Sequence, residues 1–232
     1  MKYKNLFFDL DDTLWAFSEN SRDTFREMYE KYGFDKHFDS FDHYFGLYES
    51  KNEELWDKYS RKEITRDELN DQRFLHPLRA VGVDNPGLAA TYKNDYMQVV
   101  RTKSKLMPYV KEMLEYLRNK RYNMYIISNG FRELQARKMQ ASGIDGYFKK
   151  VILSEDIGVM KPYPEIFYFA LSATQSELKE SVMIGDNWNA DITGAYEVGM
   201  DQIYYDLRGE KNEPAFRPTY VIRDLRELEG IL

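Results

Sequence analysis

The 232-residue sequence contains no cysteine. Disulfides, thiolate metal centres, iron–sulfur clusters and a cysteine nucleophile are therefore excluded, while the lack of cysteine is compatible with either redox compartment. Histidine is scarce: only His37, His43 and His76 occur, without the spacing of metal ligands. No apolar run approaches the roughly 18–20 residues of a membrane span. The opening residues 1–9 hold three consecutive apolar side chains before the acids begin, too few for a secretory leader. Basic residues are outnumbered, 33 Lys and Arg against 39 Asp and Glu, for a net charge of −6. Such a balance supplies no basic face for phosphate backbones. Neither GxxxxGK[ST] nor GxGxxG is present, so a P-loop or dinucleotide site is unsupported. The expectation is a cytoplasmic protein with no membrane and no nucleic-acid partner.

What remains is an ordinary globular composition, 43% hydrophobic and 31% charged, long enough to bury a real core. Short apolar runs read as strands at residues 6–8, 122–127, 151–153, 182–184, 203–205 and 220–222. Between them lie helical patterns. Val110, Met113, Leu114 and Leu117 mark one face of a helix after Pro108, residues 131–142 end at Gly143, 166–171 follow Pro164, and 191–198 end at Gly199. This alternation predicts an α/β fold, a Rossmann-like parallel sheet covered on both faces. The roughly 95 residues between the first strand and the Pro108 helix exceed any single crossover. They carry helix starts at Thr65-Arg66-Asp67-Glu68 and Asn85-Pro86. The economical division is an α/β core of residues 1–14 and 104–232 with a helical domain of 15–103 inserted into it. The polar stretch 209–214 reads as a surface loop.

Four polar clusters each follow a predicted strand: Asp9-Leu10-Asp11-Asp12-Thr13, Ser128-Asn129, Lys161-Pro162, and Gly185-Asp186 with Asp191. In a parallel sheet the carboxyl ends of the strands share one edge, so these clusters converge. Asp9, Asp11, Asp12, Asp186 and Asp191 brought together would repel unless a cation intervened. An all-oxygen site suits Mg²⁺ with room for phosphate oxygens. Ser128, Asn129 and backbone N–H groups offer donors to an anion, and Lys161 a compact positive charge. These are the parts of phosphoryl transfer. Without Cys, and with no Ser beside a suitable His, a carboxylate is the available nucleophile. Asp9 takes that role, and Asp11, two residues on, that of general acid and base. Taken singly, Asp9 or Asp186 reads first as a strand-end turn residue, and a cap of the helix from Ile192 is the alternative for Asp191; the joint pattern carries the assignment.

Asp9-Leu10-Asp11-Asp12-Thr13-Leu14, Ser128, Lys161-Pro162 and Gly185-Asp186 with Asp191, in that chain order, resemble the four motifs of the haloacid dehalogenase superfamily, with the helical insertion placed as in its C1-capped members. The resemblance implies that Asp9 is nucleophile and Mg²⁺ ligand, and that Asp11 is the acid/base with its backbone carbonyl on the metal. It makes Asp186 the remaining direct ligand and gives Asp191 the task of orienting the site from behind the ligands. Ser128 would hold the phosphoryl group and Lys161 balance charge. Asp12 stands where many members have Gly, and Asp tolerates the tight turn.

Within the superfamily the chain is most similar to pyrimidine 5′-nucleotidases of the YjjG type. The carriers are Leu55-Trp56 with Tyr59, Ile64-Thr65, Arg73-Phe74, Ser128-Asn129-Gly130-Phe131, Leu134-Gln135, Gly158-Val159-Met160-Lys161-Pro162, Glu165-Ile166-Phe167, Pro218-Thr219-Tyr220 and Glu227-Leu228-Glu229. Hydrolysis of nucleoside 5′-monophosphates, small-molecule substrates, is the implied activity, with oligomeric state left open. A sugar phosphate or other small phosphomonoester is the sibling reading. A 2-haloacid dehalogenase and a phospho-accepting signalling module are the non-phosphatase ones. Asp11 and Asp186 speak against the dehalogenase, and the length and the inserted domain against the signalling module. Of the aromatic side chains, most in the insertion are expected to be its core or ordinary surface, whereas Trp15 and Phe17 are expected at the mouth of the site.

Overall fold

In the computed structural model the described residues are 2–207, 209 and 216–232; the expected loop at 209–214 lies outside them from residue 210 on. The chain divides into two compact units, Met1–Phe17 with Ser104–Leu232, and Ser18–Lys103. The first boundary falls three residues later than the sequence suggests, because the segment after β1 is tied to the sheet unit. Asp12 N donates to Trp15 O and Trp15 N to Leu10 O, both at 2.8 Å, while Met107 N donates to Leu14 O and Ala16 N to Lys105 O.

The first unit is built on six strands, β1 (Asn5–Phe8), β2 (Asn123–Ser128), β3 (Lys150–Leu153), β4 (Ser181–Gly185), β5 (Asp201–Tyr205) and β6 (Tyr220–Ile222). They lie in the order β3-β2-β1-β4-β5-β6, every pair parallel. Each strand predicted from the apolar runs is present. Side chains alternate across the sheet. Phe7, Tyr125, Ile127 and Met183 bury one face with Ile166, Phe167 and Ala170. Leu6, Phe8, Ile126 and Ile184, the alternate residues, are fully buried as well, so both faces are covered. Each such side chain contributes about 1.5–3 kcal/mol by leaving water.

The helices of this unit follow the expected signals. Val110, Met113, Leu114 and Leu117 are the buried stripe of Val110–Asn119, and Gly143, at φ 68°, closes Arg132–Ser142. Pro164 opens Pro164–Thr174. The expected helix 191–198 is instead a wide helical turn, Trp188–Thr193, followed by the short helix Gly194–Glu197.

The second unit consists largely of four helices, Phe17–Lys31, Phe41–Ser60, Arg66–Ala80 and Pro86–Val100. Thr65 and Glu68 form the expected capping box, and Asn85 caps the helix that Pro86 begins. Its core is aromatic: the Phe25 ring lies 4.2 Å from Tyr48 and 4.3 Å from Tyr96, with Phe74 and Tyr92 close by. Arg73 is buried here and donates to Asn52 and Asn70.

Candidate active site

The sheet order alone brings the site together. β1 lies between β2 and β4, so the chain crosses to one side of β1 and later to the other, a topological switch point. Asp9 follows β1 and continues its ladder, its N–H donating to Ile184 O at 2.9 Å. Ser128 ends β2, and Asp186 follows β4. Adjacent strands lie about 4.8 Å apart, close enough for side chains at their ends to meet.

Lys161 provides the centre of charge. It is 3% exposed, and its Nζ donates to Asp9 Oδ1 at 2.5 Å and to Asp191 Oδ1 at 2.6 Å. Burial opposes its positive charge, but Asp191 and Asp9 more than offset that and hold the ammonium above its ordinary value. Asp191, fully buried, receives Asn187 N on its other oxygen at 3.1 Å. Asp186 Oδ1 accepts from Thr13 Oγ1 at 2.9 Å, and Thr13 Oγ1 accepts in turn from Asp186 N. One carboxylate oxygen each of Asp9, Asp186 and Asp191 lie within 4.8 Å of one another.

A single ammonium does not balance this cluster. Burial pushes Asp9 well above the usual carboxylate range; Lys161 pulls it down, and Asp191, Asp186 and Asp11 push it further up. Burial and Asp191 push Asp186 up to about 7, against the hydrogen bond from Thr13. A donor set made wholly of oxygen, short of positive charge, fits a hard divalent cation.

Ser128 Oγ accepts from Gly130 N at 3.1 Å and from Gln135 Nε2 at 2.7 Å. With both of those bonds accepted, its own hydrogen is left to donate. Asn129 also holds the Lys161 backbone: its Nδ2 donates to Lys161 O at 3.0 Å and its Oδ1 accepts from Lys161 N at 2.8 Å, while an amide NH2 has a second hydrogen to offer an anion. The side-chain amide thereby fixes the Lys161 backbone against the end of β2. Asp12 adopts φ 57°, the left-handed turn anticipated for that position.

Asp11 is not one of the three clustered carboxylates and is held by a second set of partners that sequence reasoning missed. Lys138 Nζ donates to its Oδ1 at 2.6 Å and Gln135 Nε2 to its Oδ2 at 2.8 Å. Both come from the helix Arg132–Ser142, three residues apart and so on one face. A signal was present: the buried stripe of that helix reads Gln135, Lys138, Met139, Ser142, three polar residues where apolar ones belong. Trp15, expected at the mouth, is fully buried, and the Lys138 ammonium lies 4.5 Å from its ring centre and 4.9 Å from that of Phe17. Its ring is therefore a platform for Lys138 rather than for a ligand.

The wider comparisons agree with this geometry. The haloacid dehalogenase-like hydrolase family profile matches residues 3–199. The chain is 28% identical to the pyrimidine 5′-nucleotidase YjjG of Escherichia coli over all of this chain and 99% of that one. It is 31% identical to a glyceraldehyde 3-phosphate phosphatase of Methanothermobacter thermautotrophicus over 99% of each. The crystal structure of the HAD-hydrolase YfnB of Bacillus subtilis, described as bound to magnesium, superposes with a TM-score of 0.87 at 27% identity, covering 100% of this chain and 99% of that one. With its family profile, its parallel sheet and its strand-end acids in agreement, the chain belongs to the haloacid dehalogenase-like hydrolases.

Proposed function

We propose that the protein is a Mg²⁺-dependent phosphomonoesterase that works through a phospho-aspartate on Asp9, with nucleoside 5′-monophosphates as its substrates. The observation that carries the chemistry is the bridge from Lys161 Nζ to Asp9 and Asp191, with the Asp186 carboxylate beside it.

Asp9 and Asp186, with the backbone carbonyl of Asp11, would hold the ion. Asp191, both of whose oxygens are engaged, would orient Lys161. When bound, Mg²⁺ supplies charge neutralisation at the phosphoryl oxygens and at the crowded carboxylates. The Asp9 carboxylate attacks phosphorus, the P–O bond to the leaving group breaks, and Asp11 gives its proton to the departing oxygen. Water then attacks the phospho-aspartate, Asp11 takes a proton from it, and phosphate leaves with Asp9 restored. Lys161 neutralises Asp9 and the incoming oxyanion, and Ser128 Oγ–H donates to that oxyanion. The helical unit contributes no catalytic carboxylate in this reading.

The nucleotide assignment is supported by the similarity to YjjG over the whole chain; the similarity to a glyceraldehyde 3-phosphate phosphatase favours a small sugar phosphate as the second reading. A panel of nucleoside monophosphates, sugar phosphates and a 2-haloacid, each with and without Mg²⁺, separates them. Metal-dependent phosphate release with the highest kcat/KM on nucleoside 5′-monophosphates is expected. Preference for sugar phosphates would overturn the nucleotide reading, and metal-independent halide release the phosphatase reading.

A further inference from the structure

We propose that Lys138 and Gln135 are positioning residues that hold the Asp11 carboxylate in place to receive the proton of the water that hydrolyses the phospho-aspartate; this rests on the reading of Asp11 as acid/base above. Each oxygen of Asp11 takes one donor, Lys138 Nζ at 2.6 Å and Gln135 Nε2 at 2.8 Å, so rotation of the carboxyl group about its bond is blocked. Each oxygen keeps a lone pair for a proton. In the step concerned, the water oxygen bonds to phosphorus, the bond from phosphorus to the Asp9 oxygen breaks, and the water proton moves to Asp11.

The holders are themselves held. Lys138 is 1% exposed, and its ammonium is confined between Asp11 and the rings of Trp15 and Phe17. Trp15 follows Asp11 by four residues, and the two form a backbone bridge, so the loop that carries the carboxylate also carries the platform for its partner. Gln135 Nε2 donates to Ser128 Oγ as well as to Asp11, coupling the proton acceptor to the hydroxyl assigned to the phosphoryl group. The fit is close: a β-carbon on Gly130 would stand 2.2 Å from Gln135 Nε2.

A packing role does not account for these residues. Gln135 Oε1 is buried with no hydrogen-bond partner among the described residues, and Lys138 places a full charge beneath the surface. Apolar side chains of similar size would fill the same space without desolvating a charge or orphaning an oxygen.

The test is rapid-quench kinetics with aryl phosphate and Mg²⁺ on wild type, Lys138→Met, Gln135→Met, Lys138→Arg and Asp11→Asn, with thermal midpoints to show folding. In Lys138→Met, phosphoenzyme decay is expected to slow about 10–100-fold. Phosphoenzyme should accumulate and, because an aryl oxide departs without needing the Asp11 proton, kcat and KM should fall together so that kcat/KM stays within about twofold. Gln135→Met should act in the same direction, and Lys138→Arg should recover part of the decay rate. Should Lys138→Met fail to fold, Gln135→Met carries the test. Equal slowing of formation and decay, or wild-type decay beside slowed decay in Asp11→Asn, overturns this inference alone. Wild-type decay in Asp11→Asn overturns the reading of Asp11 and this inference with it.

Discussion

Gly185 lies directly against Asp191: a β-carbon at position 185 would stand 2.3 Å from Asp191 Oδ2 and 2.5 Å from its Cγ. Asp191 is buried and holds Lys161, so it has no room to retreat. Gly185→Ala is therefore expected to push Asp191 off Lys161, with a destabilisation of about 1–3 kcal/mol and a marked fall in kcat. Chemical denaturation and steady-state assay of the purified variant check it; wild-type values for both would contradict the packing described.

Lys161 is the only cation that the described hydrogen bonds give to Asp9 and Asp191. Its replacement by Met leaves two buried carboxylates without it, a loss of about 3–5 kcal/mol at neutral pH. Neutralising one of them removes part of the burden, so Lys161→Met with Asp191→Asn should be more stable than Lys161→Met alone. Denaturant midpoints of the two variants measure the difference, and a double variant no more stable than the single would contradict the charge balance assigned to this pair.

The pH dependence of stability has a defined sign at Asp186, pushed up from 3.8 to about 7 by burial and by Asp191. Between those values the folded protein binds a proton that the unfolded chain has lost, so stability is lost as pH rises through this window. In metal-free protein, Asp186→Asn lacks this titration, so its stability relative to wild type should grow from pH 4 to pH 7 and then level off. Added Mg²⁺ should stabilise wild type more at pH 7.5 than at pH 5. Thermal midpoints across that range test both statements; a difference that shrinks with rising pH would reverse the argument.

The strands were legible because a sheet buried on both faces demands short continuous apolar runs. Leu6-Phe7-Phe8 and Val182-Met183-Ile184 admit no other economical reading. Asp9, Ser128 and Asp186 were legible for the related reason that parallel strands deliver their ends to one edge, whereas Lys161, well past the end of β3, was legible from its Pro and the chain order of the motifs. What escaped depends on side-chain direction, which spacing does not fix. Asn129 adjoins Ser128, and spacing does not show that its amide also holds the Lys161 backbone. Trp15 follows the catalytic loop, but the hydrogen bonds of residues 10–16 fold it inward. Lys138 carries no motif in the sequence, and its place shows only in the buried stripe it shares with Gln135 and Ser142.

Metal removal separates the ion from the protein's own charges. Chelation by EDTA should abolish phosphate release, and Mg²⁺ should restore it. Mg²⁺ should also raise the thermal midpoint of wild type, but not that of a variant carrying both Asp9→Asn and Asp186→Asn, which lacks the ligating charge. Equal Mg²⁺-induced shifts in the two proteins would place the ion elsewhere.

The central claim is that Asp9 becomes phosphorylated in each turnover. Wild-type enzyme and Asp9→Asn, mixed with a phosphomonoester carrying a labelled phosphoryl group, should be quenched in acid within the first turnover, digested and mapped. The account predicts covalent label on the wild-type peptide that carries Asp9, and neither label nor turnover in Asp9→Asn. Turnover without covalent label, label on another residue, or an active Asp9→Asn would contradict it.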